Sequence, residues 1–329
     1  MKELTIGPND AGQRLDRFLL KAVPLLPSSL CQKYLRLKRF KLNGKVAKGE
    51  ARLQAGDILS LYISDEFFET PSDGNAYRKV ATPKLTIVYE DENILLADKA
   101  PGILCHHAEG EPPERTLLAN IQAHLLLTGA WRPKEENAFT PALCNRIDRN
   151  TGGIVIAAKN AEVLRILNEK IRDRELDKRY LCAVLGTPKP PEGTLKGFLF
   201  KDAEKNRVYV RKSPEPGART AVTDYRTLTS RDGLSLVECR LETGRTHQIR
   251  AQMAAAGWPL LGDGKYGGKA AQAGGETKQA LYSYRLRFDF PTDAGCLNYL
   301  RGRSFTAAKV EFAEKLFPGY DYTQIPSDG

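Results

Sequence analysis

The sequence contains no long hydrophobic run. Of its 329 residues, 41% are hydrophobic, but they are spread along the chain in short stretches. A transmembrane helix needs about 18 or more consecutive apolar residues. The opening stretch MKELTIGPND also lacks the apolar core of a secretory signal. We therefore expect a cytoplasmic protein with no membrane partner.

Patterns that bind metals or form disulfides are missing as well. The six cysteines are scattered, and no two of them stand in C-x-x-C spacing. Reduced, mostly buried thiols are therefore expected. His106 and His107 are adjacent and would face opposite ways in a strand, and His124 lies on an apolar helix face. We expect no metal site and no Ser-His-Asp triad.

Glycine-rich nucleotide motifs are also absent. The segment GDGKYGGKA at 262–270 resembles a phosphate-binding loop only loosely. That loop needs glycine where Asp263 stands and serine or threonine where Ala270 stands. No G-x-G-x-x-G follows a strand at the start of a βαβ unit. We therefore expect no nucleotide hydrolysis and no dinucleotide cofactor, and we expect no other cofactor.

What the sequence does have is positive charge, unevenly spread. The net charge is +10, of which residues 1–64 carry +7, and residues 33–48 hold seven basic residues and no acid. Such a run can be a solvated face, or can contact a membrane surface or an acidic protein. Its density, with Tyr34 and Phe40 interleaved, favours a nucleic-acid backbone. We call its candidate RNA-binding residues the basic patch: Lys33, Arg36, Lys38, Arg39, Lys41 and Lys45.

Residues 1–64 have the pattern of a small α+β unit. Apolar residues at helical spacing predict a helix over 14–22, and Ser28 or Ser29 is a candidate cap for a second helix. An Asn43-Gly44 turn predicts a hairpin, and 53–63 reads as a turn into a strand. The polar segment 65–83, which contains glycine and proline, is predicted to be a linker.

From residue 84 onward short β-like runs dominate. We expect a second domain over 84–315, and a C-terminal tail over 316–329. The predicted strands are LTIVYED, NILLADKA, GIVIAAK, RYLCAVLG, RVYVRK, TDYRTLT, LSLVECRLE and YRLRFDF. The clearest helices are 116–127, 161–171 and 246–256. This pattern indicates an α+β fold with a mixed, mostly antiparallel sheet and flanking helices.

The segment CNRIDRNTGG contains the first candidate site. Arg146 and Asp148 are two residues apart, so on an extended backbone they project to the same side. Gly152 and Gly153 permit a tight bend and a close approach of another backbone. A lone aspartate near a glycine turn is more often a turn residue, and that alternative stays open.

Two further segments carry candidate residues. In ETGRTHQIRAQM, Thr246 is a predicted N-cap, and His247 and Arg250 can point together into a cleft. A surface ion pair is the structural alternative for Arg250, and we expect His247 only to hydrogen-bond backbone. In DKRYLCAVLG, Lys178 and Tyr180 open a strand, where the tyrosine either packs in the core or stacks on a base.

Together these motifs resemble the RluA family of pseudouridine synthases. The resemblance covers roughly 84–290 and rests on the order and spacing of NRIDRNTGG, KRY-x-x-x-x-x-G and TGRTHQIRAQM-x-x-x-G-x-P-x-x-GD-x-x-Y. The stretch 89–107 is similar to that family's opening strand pair and its Lys-Pro-x-Gly turn. Residues 12–63 look like the S-four-like RNA-binding domain that often precedes this catalytic domain.

The resemblance implies isomerisation of uridine to pseudouridine in RNA, without metal or cofactor. It makes Asp148 the carboxylate that acts on the sugar, either by attacking C1′ or by removing the neighbouring proton. It implies that Arg250 pairs with Asp148 and keeps it charged, and that Tyr180 stacks on the uracil and accepts the C5 proton. Arg146 would fill the space of the flipped base.

The same residues disfavour two other classes of function. A non-catalytic RNA-binding or ribosome-assembly factor is disfavoured because Asp148, Tyr180 and Arg250 are all present. A nuclease or glycosidase would need further acids near Asp148. We expect ribosomal RNA of the large subunit (23S) as substrate, with transfer RNA as the alternative and no obligatory protein partner.

The sequence departs from the family pattern at several positions. Asn145 replaces histidine, Ile147 replaces leucine and Gly152 replaces serine. In the first domain, Ser28-Ser29 occupies the position of the family's Ser-Arg pair at the start of the second helix. Near Lys38 a basic residue replaces the glycine that usually precedes the strand. The replacement at Asn145 leaves the RNA contacts of that position open.

Overall fold

A computed structural model describes residues 1–68, 72–271 and 277–325. The described helices are α1 (Leu15–Ala22), α2 (Ser28–Arg36), α3 (Leu117–Leu127), α4 (Ala161–Arg172), α5 (Gln248–Ala255), α6 (Gly268–Ala271) and α7 (Glu311–Leu316). The described strands are β1 (Lys2–Thr5), β2 (Phe40–Leu42), β3 (Lys45–Val46), β4 (Ile58–Leu61), β5 (Thr86–Glu90), β6 (Ile94–Lys99), β7 (Ala142–Leu143), β8 (Gly152–Ala158), β9 (Leu176–Leu185), β10 (Glu192–Asp202), β11 (Arg207–Arg211), β12 (Ala218–Arg231), β13 (Leu234–Leu241), β14 (Leu281–Phe288) and β15 (Ser304–Thr306). No helix in these ranges is both long and apolar enough to cross a membrane.

The N-terminal strands form a separate antiparallel sheet in the order β1-β4-β2-β3, covered by α1 and α2. Asn43 and Gly44 both have positive φ, as a two-residue hairpin turn requires. The predicted α+β unit is therefore present, although its S-four-like identity stays a prediction. The predicted serine cap of α2 is wrong, because Ser28 is already helical and Pro27 occupies the cap position.

The remaining strands form one large sheet, in the order β11-β10-β12-β13-β9-β14-β8-β6-β5, with β15 on β14 and β7 on β8. Among the described pairs, β8 and β14 alone run parallel. The predicted mixed, mostly antiparallel sheet with flanking helices is confirmed, and each predicted strand run overlaps an observed strand.

Helices cover both faces of this sheet. In β8, Ile154 and Ile156 pack with α4, whereas Val155 and Ala157 pack with α3. Alternate residues of a strand point to opposite faces, so a strand covered on both sides has to be apolar throughout. The uninterrupted run GGIVIAA, buried at every position, is the sequence of such a strand.

The predicted linker and tail pack more closely than their composition indicates. Tyr77 is buried against Trp131 with ring centroids 5.0 Å apart. Phe317, Tyr322 and Ile325 are buried in the core below β9. Residues 69–71 and 326–329 lie outside the described residues, and the boundaries 1–64, 65–83, 84–315 and 316–329 stay predictions.

Hydrogen bonds join the N-terminal unit to the large sheet domain. The Asn9 amide donates to Glu136 at 2.6 Å, and its oxygen accepts from the backbone nitrogen of Ala161 at the start of α4. Asn137 donates to the buried Asp10 carboxylate and to the Thr5 carbonyl, each at 2.7 Å. These contacts seat the small unit against one end of α4.

Gly152 and Gly153 allow β14 to approach β8. A Cβ at Gly153 would lie 2.2 Å from the Ser283 carbonyl oxygen, and one at Gly152 would lie 2.3 Å from the Tyr282 ring. The Tyr282 hydroxyl donates to Asp98 at 2.6 Å, which holds the ring in place. The tyrosine therefore fills the space in which the family's serine would stand.

Gly152→Ser is expected to lower the free energy of unfolding by about 1–3 kcal/mol, because the new side chain overpacks against Tyr282. Urea denaturation measures the change. In a double-mutant cycle, Tyr282→Ala should remove part of the cost of Gly152→Ser, whereas Tyr282→Phe, which keeps the ring, should not. Equal costs in both backgrounds would contradict the packing explanation.

Candidate active site

An open cleft of about 1120 Å³ lies on the face of the sheet that carries α3 and α5. Most of its walls come from residues 104–107, residues 143–151, β9 with the end of α4, and residues 241–250, and Lys201, Asn206 and Leu281 complete them. The cleft therefore gathers all three motifs that the sequence singled out. Its size suits a nucleotide and its flanking backbone better than a small, enclosed ligand.

Asp148 lies in the cleft, in the segment between β7 and β8. Arg146, Ile147 and Asp148 all line the cleft, and Ile147 also packs against the apolar cores on this face. The Asp148 side chain is 24% exposed, so a ligand in the cleft can reach its carboxylate.

Arg250 bridges two carboxylates. Its Nη1 donates to Asp148 Oδ2 at 2.8 Å, and its Nε and Nη2 donate to Asp263 at 2.7 and 3.0 Å. Burial lowers the pKa of Arg250, but the bonds and charges of the two aspartates outweigh it, and the net shift is upward. Burial raises the pKa of Asp263 and Arg250 more than offsets it, leaving that carboxyl charged. The structure thus brings together Asp148 and Arg250.

Asp263 holds the glycine-rich turn after α5 and also orients Arg250. Its Oδ1 accepts from the backbone nitrogens of Lys265 and Tyr266, which holds the turn, while the carboxylate orients Arg250. Its side chain is 1% exposed. In the sequence, only the Gly262-Asp263 pair of the third motif drew attention to this residue. The neighbouring residues do not show that the Asp263 carboxylate faces α5.

Lys99 holds the loop beneath Asp148. Its buried Nζ donates to the carbonyls of Ala100, Ile103 and Arg149 at 3.2, 2.8 and 2.9 Å. Burial lowers the pKa of Lys99 to about 8. Because Arg149 directly follows Asp148, this lysine positions the backbone of the acid. The sequence showed only a Lys-Ala-Pro-Gly turn here, and this role was missed.

His247 contacts a side chain, so the expectation that it only bonds backbone is wrong. Its Nδ1 lies 2.8 Å from the Tyr266 hydroxyl, and its Nε2 lies 3.8 Å from Asp148 Oδ2. Burial and then Arg250 lower the pKa of His247, and Asp148 opposes them. His247 also caps α5 with a left-handed backbone, φ 52°, so the predicted Thr246 cap is wrong by one residue.

Tyr180 lies on β9 with its ring at the cleft and its hydroxyl bonded to Ser283. Burial raises the pKa of Tyr180 to about 12. The phenol therefore keeps its proton at neutral pH, and Tyr180 is one of the residues that line the cleft.

Arg146 is an exposed basic residue that lines the cleft. Within the described part of the chain it makes no hydrogen bond or ion pair. The neighbouring Asn145, where the family has histidine, accepts a hydrogen bond from the backbone nitrogen of Ile156 at 2.8 Å. The Asn145 side-chain oxygen is therefore used in a hydrogen bond to the backbone of β8.

The basic patch lies on α2 and the β2–β3 hairpin. Five of its residues are exposed and Lys41 is half-buried. In the described ranges none of the six pairs with a carboxylate, while Arg39 stacks over Tyr34 at 5.1 Å and Lys41 over Tyr62 at 5.3 Å. Cations without internal partners, beside accessible rings, suit a phosphate backbone.

Comparisons with known proteins decide the family. A family model described as RNA pseudouridylate synthase matches residues 93–255. An uncharacterized RNA pseudouridine synthase of Mycoplasma genitalium is 33% identical over 94% of both chains. The chain belongs to the RNA pseudouridine synthase family.

It is an isomerase that converts uridine in RNA into pseudouridine, and the resemblance to the RluA family is confirmed. A Haemophilus ducreyi protein named ribosomal large subunit pseudouridine synthase C is 31% identical over 88% of both chains. The solved structure of human RNA pseudouridylate synthase domain containing 4 superimposes with a TM-score of 0.53 at 19% identity, over 73% of this chain and 93% of that one. At that identity the likeness concerns the fold alone.

Proposed function

We propose that this pseudouridine synthase modifies large-subunit ribosomal RNA and that Asp148 carries the reaction. The observation that carries the catalytic assignment is the 2.8 Å contact between Arg250 and Asp148 inside the cleft. The substrate assignment rests on relatives of about 30% identity that are named for the large ribosomal subunit, and on the basic patch. A ribosomal substrate also agrees with the expected cytoplasmic location.

The isomerisation breaks the N1–C1′ bond and forms a C5–C1′ bond, while C5 loses a proton and N1 gains one. Asp148 acts at the sugar in either of two ways, as a nucleophile at C1′ or as a base for the neighbouring proton. Both routes need an ionised carboxylate at a fixed position. Arg250 places a positive charge 2.8 Å from the Asp148 carboxylate and holds it in position, and Asp263 fixes Arg250.

Tyr180 and Arg146 act on the base. Tyr180 offers a ring on which the uracil stacks and a hydroxyl that takes the C5 proton while giving its own proton to its partner Ser283 or to solvent. N1 takes up a proton in return, so the exchange is balanced. Arg146, exposed and without a hydrogen-bond or ion-pair partner among the described residues, enters the helix and takes the place of the flipped base. The target sugar becomes accessible to Asp148 only after that flip.

Residues 1–64 are proposed to be an S-four-like RNA-binding domain that precedes a catalytic domain over 84–315. The basic patch supplies phosphate contacts outside the cleft and so favours a large structured RNA over a short stem. Transfer RNA is the alternative substrate.

Pseudouridine mapping tests the proposal. Total RNA is sequenced after pseudouridine-specific labelling, from cells that lack the gene and from cells in which Asp148→Ala replaces it. We expect both strains to lose the same mark in large-subunit ribosomal RNA. If the lost mark lies in transfer RNA, then transfer RNA is the substrate and the ribosomal assignment is wrong. A mark restored by Asp148→Ala would overturn the catalytic assignment.

Neutralising the basic patch is expected to weaken RNA binding and its salt dependence together. With all six residues changed to Gln, the slope of log affinity against log salt should become shallower by about 4–5, since each phosphate contact contributes about 0.7–0.9. Filter binding with ribosomal RNA at several salt concentrations measures the slope. Changing the exposed Lys84, Lys134 and Lys189 to Gln is the control, and an equal effect there would contradict the patch.

A further inference from the structure

Lys178 stands out among the lysines that are removed from solvent. Lys99 donates to three carbonyls, Lys159 pairs with Glu90 at 2.9 Å, and Lys170 pairs with Glu175 at 2.8 Å. Lys178 is half-buried on β9, yet it makes no hydrogen bond or ion pair with any residue that the structure describes. Its ammonium group is left for something outside the protein.

The surroundings of Lys178 favour an anion. Burial lowers the pKa of Lys178, and no charged neighbour offsets this cost. Arg174 and Arg245 line the same cleft, whereas the nearby acid Glu242 faces Arg240 at 3.6 Å. The adjoining Asp177 is engaged by Arg179 and Arg240. A cation left without a counterion in a positively charged wall costs free energy until an anion binds.

The position of Lys178 relates it to the target nucleotide. Lys178 and Tyr180 are two residues apart on one strand, so they project from the same face about 7 Å apart. Both line the cleft. The Lys178 ammonium lies close to Gly244, where a Cβ would be 3.9 Å from Nζ, and Gly244 lines the same cleft.

We propose that Lys178 binds a phosphate of the RNA backbone beside the target uridine, and so positions that nucleotide for Asp148 while its base lies on Tyr180. The proposal rests on the proposed function, because it assumes that the flipped nucleotide occupies this cleft. Lys178 acts here as a binding residue and takes no part in the bond changes at C1′ or C5.

The test is steady-state turnover of the full-length protein on total RNA from cells that lack the gene, labelled with 5-tritiated uridine. Such RNA carries the unmodified target, whichever RNA that is, and tritium leaves C5 on each turnover. Lys178→Gln should raise KM about tenfold, the value of one charge-assisted hydrogen bond, with kcat changed less than about threefold. The slope of log kcat/KM against log salt should become shallower by about 0.7–0.9, the contribution of one phosphate.

Two companion variants complete the experiment. Lys178→Arg keeps a phosphate-binding cation, so its KM and its salt slope should both be close to those of the parent. If Lys178 only supported β9, the arginine variant would not recover the salt slope of the parent. Lys84→Gln, at an exposed lysine outside the cleft, should behave as the parent. A parent-like KM and slope in Lys178→Gln would overturn the inference, and so would a loss of kcat at unchanged KM. Failure of the proposed function is distinct, because the parent and Lys84→Gln would then release no tritium.

Discussion

Asp148→Asn is expected to lose turnover by about 10⁴-fold or more, the scale of removing an essential nucleophile or base. The amide cannot attack C1′ and cannot take a proton from the sugar. RNA affinity should change less than about threefold, because the new side chain keeps the shape of the old one and Arg146 and the basic patch are untouched. Tritium release from C5 measures turnover, and filter binding measures affinity.

The surroundings of Asp148 make this variant a clean test. Arg250 remains paired with the buried Asp263, so the loss of one carboxylate does not strand a buried cation. Asp289→Asn, at an exposed acid near Arg287 and outside the cleft, serves as the matched control and should keep full activity. Turnover retained by Asp148→Asn would refute the assignment.

Arg250→Met is expected to damage both folding and chemistry. It removes the cation from Asp263, which is almost fully buried, and from Asp148. Stranding a buried charge in this way lowers the free energy of unfolding by about 3–5 kcal/mol. Turnover should fall by about 10³-fold, since the carboxylate at the sugar loses its position and its stabilising charge. Urea denaturation and tritium release measure the two effects.

A second variant separates the two effects. In Arg250→Met/Asp263→Asn the buried carboxylate is neutral, and the Asn oxygen can still accept from the Lys265 and Tyr266 backbone. More than half of the lost stability should return while turnover stays low. Arg231→Met breaks an exposed pair with Asp232 and should cost less than about 1 kcal/mol. Recovery of turnover together with stability would show that Arg250 acts only on the fold.

Patterns of local residues predicted the secondary structure well. The continuous apolar runs of β6 and β8 and the hairpin at Asn43-Gly44 both depend on neighbours in the chain. Capping was less predictable. At Ser28 and Thr246 the residue type suited a cap, but the backbone of Pro27 and the left-handed His247 took that position.

Local patterns of burial and turn residues were enough to indicate an α+β protein with a single prominent aspartate beside a glycine turn, because such patterns act within a few positions. The pairing of Asp148 with Arg250, 102 residues away, was suggested only by the family resemblance. Tertiary structure alone decided that Asp263 orients Arg250, that Lys99 holds the carbonyl of Arg149, and that Tyr282 fills the space beside Gly152. Those contacts depend on which strands lie side by side and on how closely they approach, and no local pattern specifies either.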